Sequence, residues 1–152
     1  MHTWSVALLS VVLVLGSVTP PRADPSPPAP VPAAPAPSAE RYYNEGLEHQ
    51  TRKDFARAAR AFQEALRLRD GFPEAWNGLG FALRQQGRYA EALRAYERAL
   101  ALRPTYAEAL EYLGEAYVRM GRLEDARAVL KRLEPLDPGE AGKLRALIER
   151  GQ

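Results

Sequence analysis

The sequence predicts an all-α solenoid of three antiparallel helix pairs closed by a C-terminal capping helix, and three observations carry that prediction. Shifted by 34 residues the chain matches itself, so that Gly46, Gly80 and Gly114 coincide, as do Ala58, Ala92 and Ala126. Apolar residues recur at helical spacing twice within each unit: in the second, Trp76, Leu79, Gly80 and Leu83 form one stripe, and Ala92, Leu93, Tyr96, Ala99 and Leu100 another. Gln86-Gly87-Arg88 and Met120-Gly121-Arg122 divide the halves of the second and third units, where a glycine can end a helix in the left-handed conformation.

The chain opens on residues 1–18, almost free of charge. Within them VALLSVVLVLGSV, residues 6–18, is an apolar run of 13 residues, short of the roughly 20 that a spanning helix needs. That length suits the apolar heart of a secretory signal. No Lys or Arg precedes the run, and the best cleavage position, Ala23, has Pro21 two residues before it, so an uncleaved membrane anchor is the alternative. Residues 19–38 hold nine of the thirteen prolines and read as a disordered, semi-rigid polyproline II spacer. The expected location is therefore the periplasm or extracellular face of a bacterial-type envelope, with membrane contact only through the N-terminal segment.

The repeats follow as 39–72, 73–106 and 107–140. Tyr42, Trp76 and Leu110 align four residues before the shared glycines, and Phe62, Tyr96 and Leu130 sixteen after them. A glycine inside a helix costs about 1 kcal/mol against alanine, so three in register imply close approach of the paired helix. Ala58, Ala92 and Ala126 are the expected facing residues, with Phe62 or Tyr96 filling the space beside them. Pro104 and Pro138 are expected to stop the second helices, and Thr105 with Glu108 to form a capping box for the next one.

These residues carry a resemblance. The pattern Trp76, Leu79, Gly80, Leu83, Ala92, Tyr96, Ala99, Pro104 resembles the tetratricopeptide repeat, and Leu110, Leu113, Gly114, Tyr117, Ala126 and Pro138 repeat it. The first unit departs from it at Glu45, His49 and Asp70. The resemblance covers 39–140 and implies a right-handed superhelix with a ligand-binding concave face. Beyond it, Leu144, Leu147 and Ile148 lie on one face of 140–150 and Lys143, Arg145, Glu149 and Arg150 on the other, as a capping helix over a solenoid end requires.

Little here suggests catalysis. All serines, from Ser5 to Ser38, precede the repeats, there is no cysteine, and His49 is the repeats' one histidine, expected to pack in the core. The expectation is no enzyme, no cofactor and no metal site. Net charge is +2 with acidic and basic residues interleaved, so no basic stripe marks a nucleic-acid footprint.

Binding surface remains. Positions about 100° round each first helix from its core stripe should line the concave face. They are Tyr43, Leu47 and Gln50; Asn77, Phe81 and Arg84; Glu111, Glu115 and Val118. Asn44, Gly78, Tyr112 and Arg119 flank them. Aromatic and aliphatic anchors beside amide and charged groups suit a peptide or protein ligand. Gly78, having no evident core role, is expected to leave a notch in the groove wall. The positions that clamp acidic chaperone tails in the resembling family hold Tyr43, Leu47, Gly78, Glu108 and Tyr112, so that clamp is absent. The expected function is a non-catalytic adaptor or scaffold module. A self-associating structural scaffold is the alternative, and a small envelope enzyme a third.

Overall fold

The computed structural model describes residues 37–151. The leader and the spacer as far as residue 36 lie outside the described residues. Seven helices and no strand appear among the described residues: α1 Ala39–Thr51, α2 Phe55–Leu68, α3 Pro73–Gln85, α4 Tyr89–Leu102, α5 Ala107–Arg119, α6 Leu123–Leu133 and α7 Pro138–Arg150.

Local chemistry sets several helix ends. The side chains of Ser38, Asp54 and Asp137 accept from the backbone N–H groups of Arg41, Arg57 and Glu140 at 3.0–3.1 Å, satisfying donors that a helix N-terminus leaves orphaned. Gly87 and Gly121 adopt φ of 75° and 71°, as their punctuating role requires. The equivalent residue of the first unit is Lys53, held at φ 59° although it carries a side chain.

Two expected boundaries differ. The expected capping box does not form: α5 is capped by Tyr106 without a side-chain bond. The helix starts one residue later than the box requires, which puts Glu108 second in the helix, and the Tyr106 hydroxyl donates to Glu108 at 3.3 Å. Pro138 does not stop α6 but opens α7, two residues before the expected start at 140. Helix α6 has already ended at Leu133, ahead of Pro135.

Each odd helix packs on its even successor, and each even helix on the next odd one. Helices α1 and α3 also touch, as do α3 and α5, whereas among the described residues α2 and α4 do not. The odd helices thus crowd together on the inner face and the even ones splay outward. Helix α7 contacts both α5 and α6, the place a next odd helix would take.

The glycines in register behave as close-approach sites. A Cβ on Gly46 would lie 2.6 Å from Phe62 Cε1, and one on Gly80 2.6 Å from Tyr96 Cε1. Both rings are fully buried beside Ala58 and Ala92, which are themselves completely covered. Burial of such a side chain contributes about 1.5–3 kcal/mol. In the third unit Leu130 stands at the aromatic's position, and Leu144 of α7 fills the space over Gly114 instead. The capping helix therefore completes the third unit's core through Ala141, Leu144 and Ile148.

His49 differs from expectation. Its counterparts Leu83 and Tyr117 are buried, and the Tyr117 hydroxyl donates to Glu97 of the preceding unit at 3.4 Å. The first unit has no described helix before it, so His49 lies at the end of the stack, 3.7 Å from Glu45, beside a cavity of about 250 Å³ with Tyr42, Arg57, Arg60 and Glu64.

Candidate functional site

The inner face of α1, α3 and α5 encloses a small cavity of about 50 Å³. Tyr43, Leu47 and Gln50 come from α1, and Glu74, Asn77, Gly78 and Phe81 from α3. Tyr106, Glu108 and Tyr112 approach from the start of α5. The 34-residue period puts these groups on equivalent helix faces, and stacking of the odd helices brings the faces together.

The expected site residues divide into three groups. Tyr43, Leu47, Asn77, Gly78, Phe81 and Tyr112 converge on the cavity. Arg84 and Glu115 form an ion pair with each other, and the guanidinium lies 5.3 Å from the Phe81 ring and 5.1 Å from the Tyr112 ring. Those two charges thus fasten α3 to α5. Asn44 and Arg119 are exposed away from the cavity, and Glu111 is half-buried beside the capping helix.

The aromatic residues pack on one another within and between units. Tyr43 stacks obliquely on Phe72 at 4.8 Å, and Phe81 on Tyr112 at 5.3 Å. Leu47 keeps 37% of its surface exposed and is the open apolar position of the groove.

Gly78 is not a notch. It is buried, and a Cβ there would lie 2.7 Å from Phe62 Cζ. The preceding unit supplies that ring, so the glycine admits an inter-repeat contact that inspection of its own unit does not suggest.

Asn77 is buried to 4% exposure rather than displayed. Its amide nitrogen donates to the Tyr106 hydroxyl at 3.4 Å, while its carbonyl oxygen and that of Gln50 are buried with no hydrogen-bond donor among the described residues.

Sequence reasoning missed Tyr106 and Glu74 as site residues and named Glu108 only for capping and as a departure from the family's clamp. A signal existed: Glu40, Glu74 and Glu108 are in register, as are Phe72 and Tyr106. Arg69 pairs with Glu40 at 2.5 Å, and Arg103 with Glu74. The third member of that arginine series is Asp137, which caps α7, so among the described residues no arginine reaches Glu108.

Burial and nearby carboxylates raise several groups at the site. Burial and then the carboxylates of Glu108 and Glu111 push the Tyr112 hydroxyl up to about 12. Burial, then Glu74 and Glu108, raise Tyr43, and burial with Glu108 raises Tyr106. Burial, reinforced by Glu140 and Glu115, lifts the Glu111 carboxyl to about 7. No group of three metal-ligating side chains converges among the described residues. The arrangement offers apolar contact, aromatic faces and hydrogen-bond acceptors.

Two family profiles, both described as tetratricopeptide repeat, match residues 43–106 and 83–150. A comparison with curated proteins finds no match. Among solved structures, the first TPR of Spaghetti (RPAP3) bound to the HSP90 peptide SRMEEVD is similar with a TM-score of 0.70 and 21% identity, over 74% of this chain and 92% of that one. The Arabidopsis OM64 TPR domain gives a TM-score of 0.72 at 16% identity, over 76% and 97%. The TPR2B domain of yeast Sti1, in complex with pHsp70, gives 0.70 at 19%, over 74% and 94%. With seven helices in three pairs plus a cap, glycines and alanines meeting in register, and both profiles matching across the repeats, this chain belongs to the tetratricopeptide-repeat family.

Proposed function

We propose that this chain is a non-catalytic adaptor that captures a peptide or protein segment on its concave face. In this reading its N-terminal run at 6–18 exports or tethers it, and the Pro-Ala spacer holds the repeats away from the membrane of a bacterial-type envelope. One observation carries the binding role: exposed Leu47 and the half-buried rings of Tyr43, Phe81 and Tyr112 surround a cavity whose wall holds buried, unmatched polar atoms. A solenoid wall used only for stacking would match those atoms internally or replace them with apolar groups, because each one left bare costs about 1–3 kcal/mol. The similar domains of Spaghetti and yeast Sti1 hold peptide or chaperone partners, which agrees with the same use of this face.

Peptide-display selection on the immobilised full chain tests the proposal. Selected peptides should lose affinity for a Leu47→Gln, Tyr112→Leu variant that keeps its helical content. They should retain it for Gln63→Ala and Arg94→Ala, at exposed positions on α2 and α4. Loss with the α2 and α4 variants alone would refute the concave-face role. Failure to select any peptide, together with concentration-dependent growth of the particle, would favour the self-associating scaffold.

A further inference from the structure

We propose that the cavity between α1, α3 and α5 receives the cationic side chain of a lysine or arginine from a partner peptide, held among Tyr43, Asn77, Tyr106, Glu108 and Tyr112. This deepens the concave-face reading and rests on it.

The hydrogen-bond directions around the cavity form a one-way chain. An ionised Glu108 carboxylate can only accept, so the Tyr106 hydroxyl donates to it at 3.3 Å. The Tyr106 oxygen must then accept, and the Asn77 amide N–H supplies it at 3.4 Å. That orientation leaves the Asn77 carbonyl oxygen buried with no donor among the described residues, on a residue that lines the cavity and is only 4% exposed. The Gln50 carbonyl oxygen is unmatched in the same wall. The two buried atoms left unmatched on the residues that line this cavity are both acceptors, and a group rich in N–H complements them.

Charge points the same way. Glu74 and Glu108 line the cavity, and no Lys or Arg does. Glu74 has Arg103 as its partner, but among the described residues Glu108 has no ion-pair partner, since Asp137 occupies the register position that Arg69 and Arg103 hold in the earlier units. A ligand cation would stand where that third arginine is missing. Rings at this wall already take cations, Arg103 at 4.8 Å from the Tyr106 ring and Arg84 at 5.1 Å from the Tyr112 ring, an attraction that strengthens as water is excluded. The volume of about 50 Å³ admits a few water-sized groups, enough for an ammonium or guanidinium head. A carboxylate would meet the like charges of Glu74 and Glu108. The whole chain carries a net charge of +2, so attraction of a basic peptide is local to this wall rather than general.

The test uses the full chain and fluorescein-labelled nonapeptides built on one Gly-Ser frame, carrying three lysines, three arginines, three norleucines or three glutamates. Fluorescence anisotropy at low ionic strength gives the affinities. The lysine or arginine peptide should bind at least about tenfold more tightly than the norleucine peptide, and the glutamate peptide should not bind. Glu108→Gln, at an exposed position that leaves the helix intact, should weaken the basic peptide about tenfold, as loss of a charged hydrogen bond does. Asn77→Leu should weaken it further.

Equal affinity of the basic peptides for the wild type and Glu108→Gln would overturn the proposal by placing the cation elsewhere. Binding of the norleucine or glutamate peptide in preference, lost on Leu47→Gln, would overturn it while leaving the concave-face reading intact. Binding of none of the four would count against both. The stronger of the two basic peptides identifies which cation the cavity takes.

Discussion

Replacing Gly78 with alanine adds one methyl group to α3, and in an unobstructed helix that change stabilises by about 1 kcal/mol. Here the methyl carbon would sit 2.7 Å from Phe62 Cζ and 2.8 Å from Cε1, well inside ordinary contact. The ring has little room to retreat. The same edge would lie 2.6–2.9 Å from a Cβ on Gly46, and the ring is fully buried. Overpacking of a rigid site costs about 1–3 kcal/mol, and a ring pinned from two helices lies toward the upper end of that range. Against the propensity gain, Gly78→Ala should destabilise by about 1–2 kcal/mol. Urea unfolding of the full chain followed by helical circular dichroism measures it. The decisive comparison is the same substitution in a Phe62→Leu background, where the shorter side chain frees the space and Gly78→Ala should turn neutral or stabilising. If Gly78→Ala stabilises the wild-type background, Phe62 is not wedged there and the glycine is a groove notch after all.

Three further outcomes are expected. Lys53→Gly should stabilise by about 1 kcal/mol in the same urea assay, because Lys53 holds a left-handed φ of 59° that glycine adopts freely. Leu144→Ala should cost about 2–4 kcal/mol, since it uncovers Gly114 and the third unit's core, and thermal unfolding should show helix loss beginning from the C-terminal end. For Glu111, burial beside Glu140 and Glu115 raises the folded carboxyl from 4.5 to about 7, so the folded state holds this proton more tightly than the unfolded one. Its contribution is therefore fully present below about 4.5 and is lost as pH climbs to about 7. Glu111→Gln should raise the melting temperature at pH 8 and leave it nearly unchanged at pH 4; an equal shift at both would refute the assignment.

The sequence by itself determined what is periodic. The 34-residue self-match, the apolar stripes and the paired small and aromatic residues place Phe62 over Gly46 and Tyr96 over Gly80, because both partners of each contact lie in one helix pair. Gly87 and Gly121 likewise announce their turns locally. Tertiary structure decided what depends on the angle at which one pair stacks on the next. Phe62 reaches Gly78 in the following unit, Arg84 meets Glu115 across α3 and α5, and Tyr106 turns inward to meet Asn77. Leu144 replaces the third aromatic from a helix outside the repeats. Each contact joins side chains whose separation follows from inter-repeat packing rather than helical periodicity. The site is built of such contacts: its aromatic residues were legible as a stripe, and its acceptor-lined, acidic interior emerged when three stripes closed on one another.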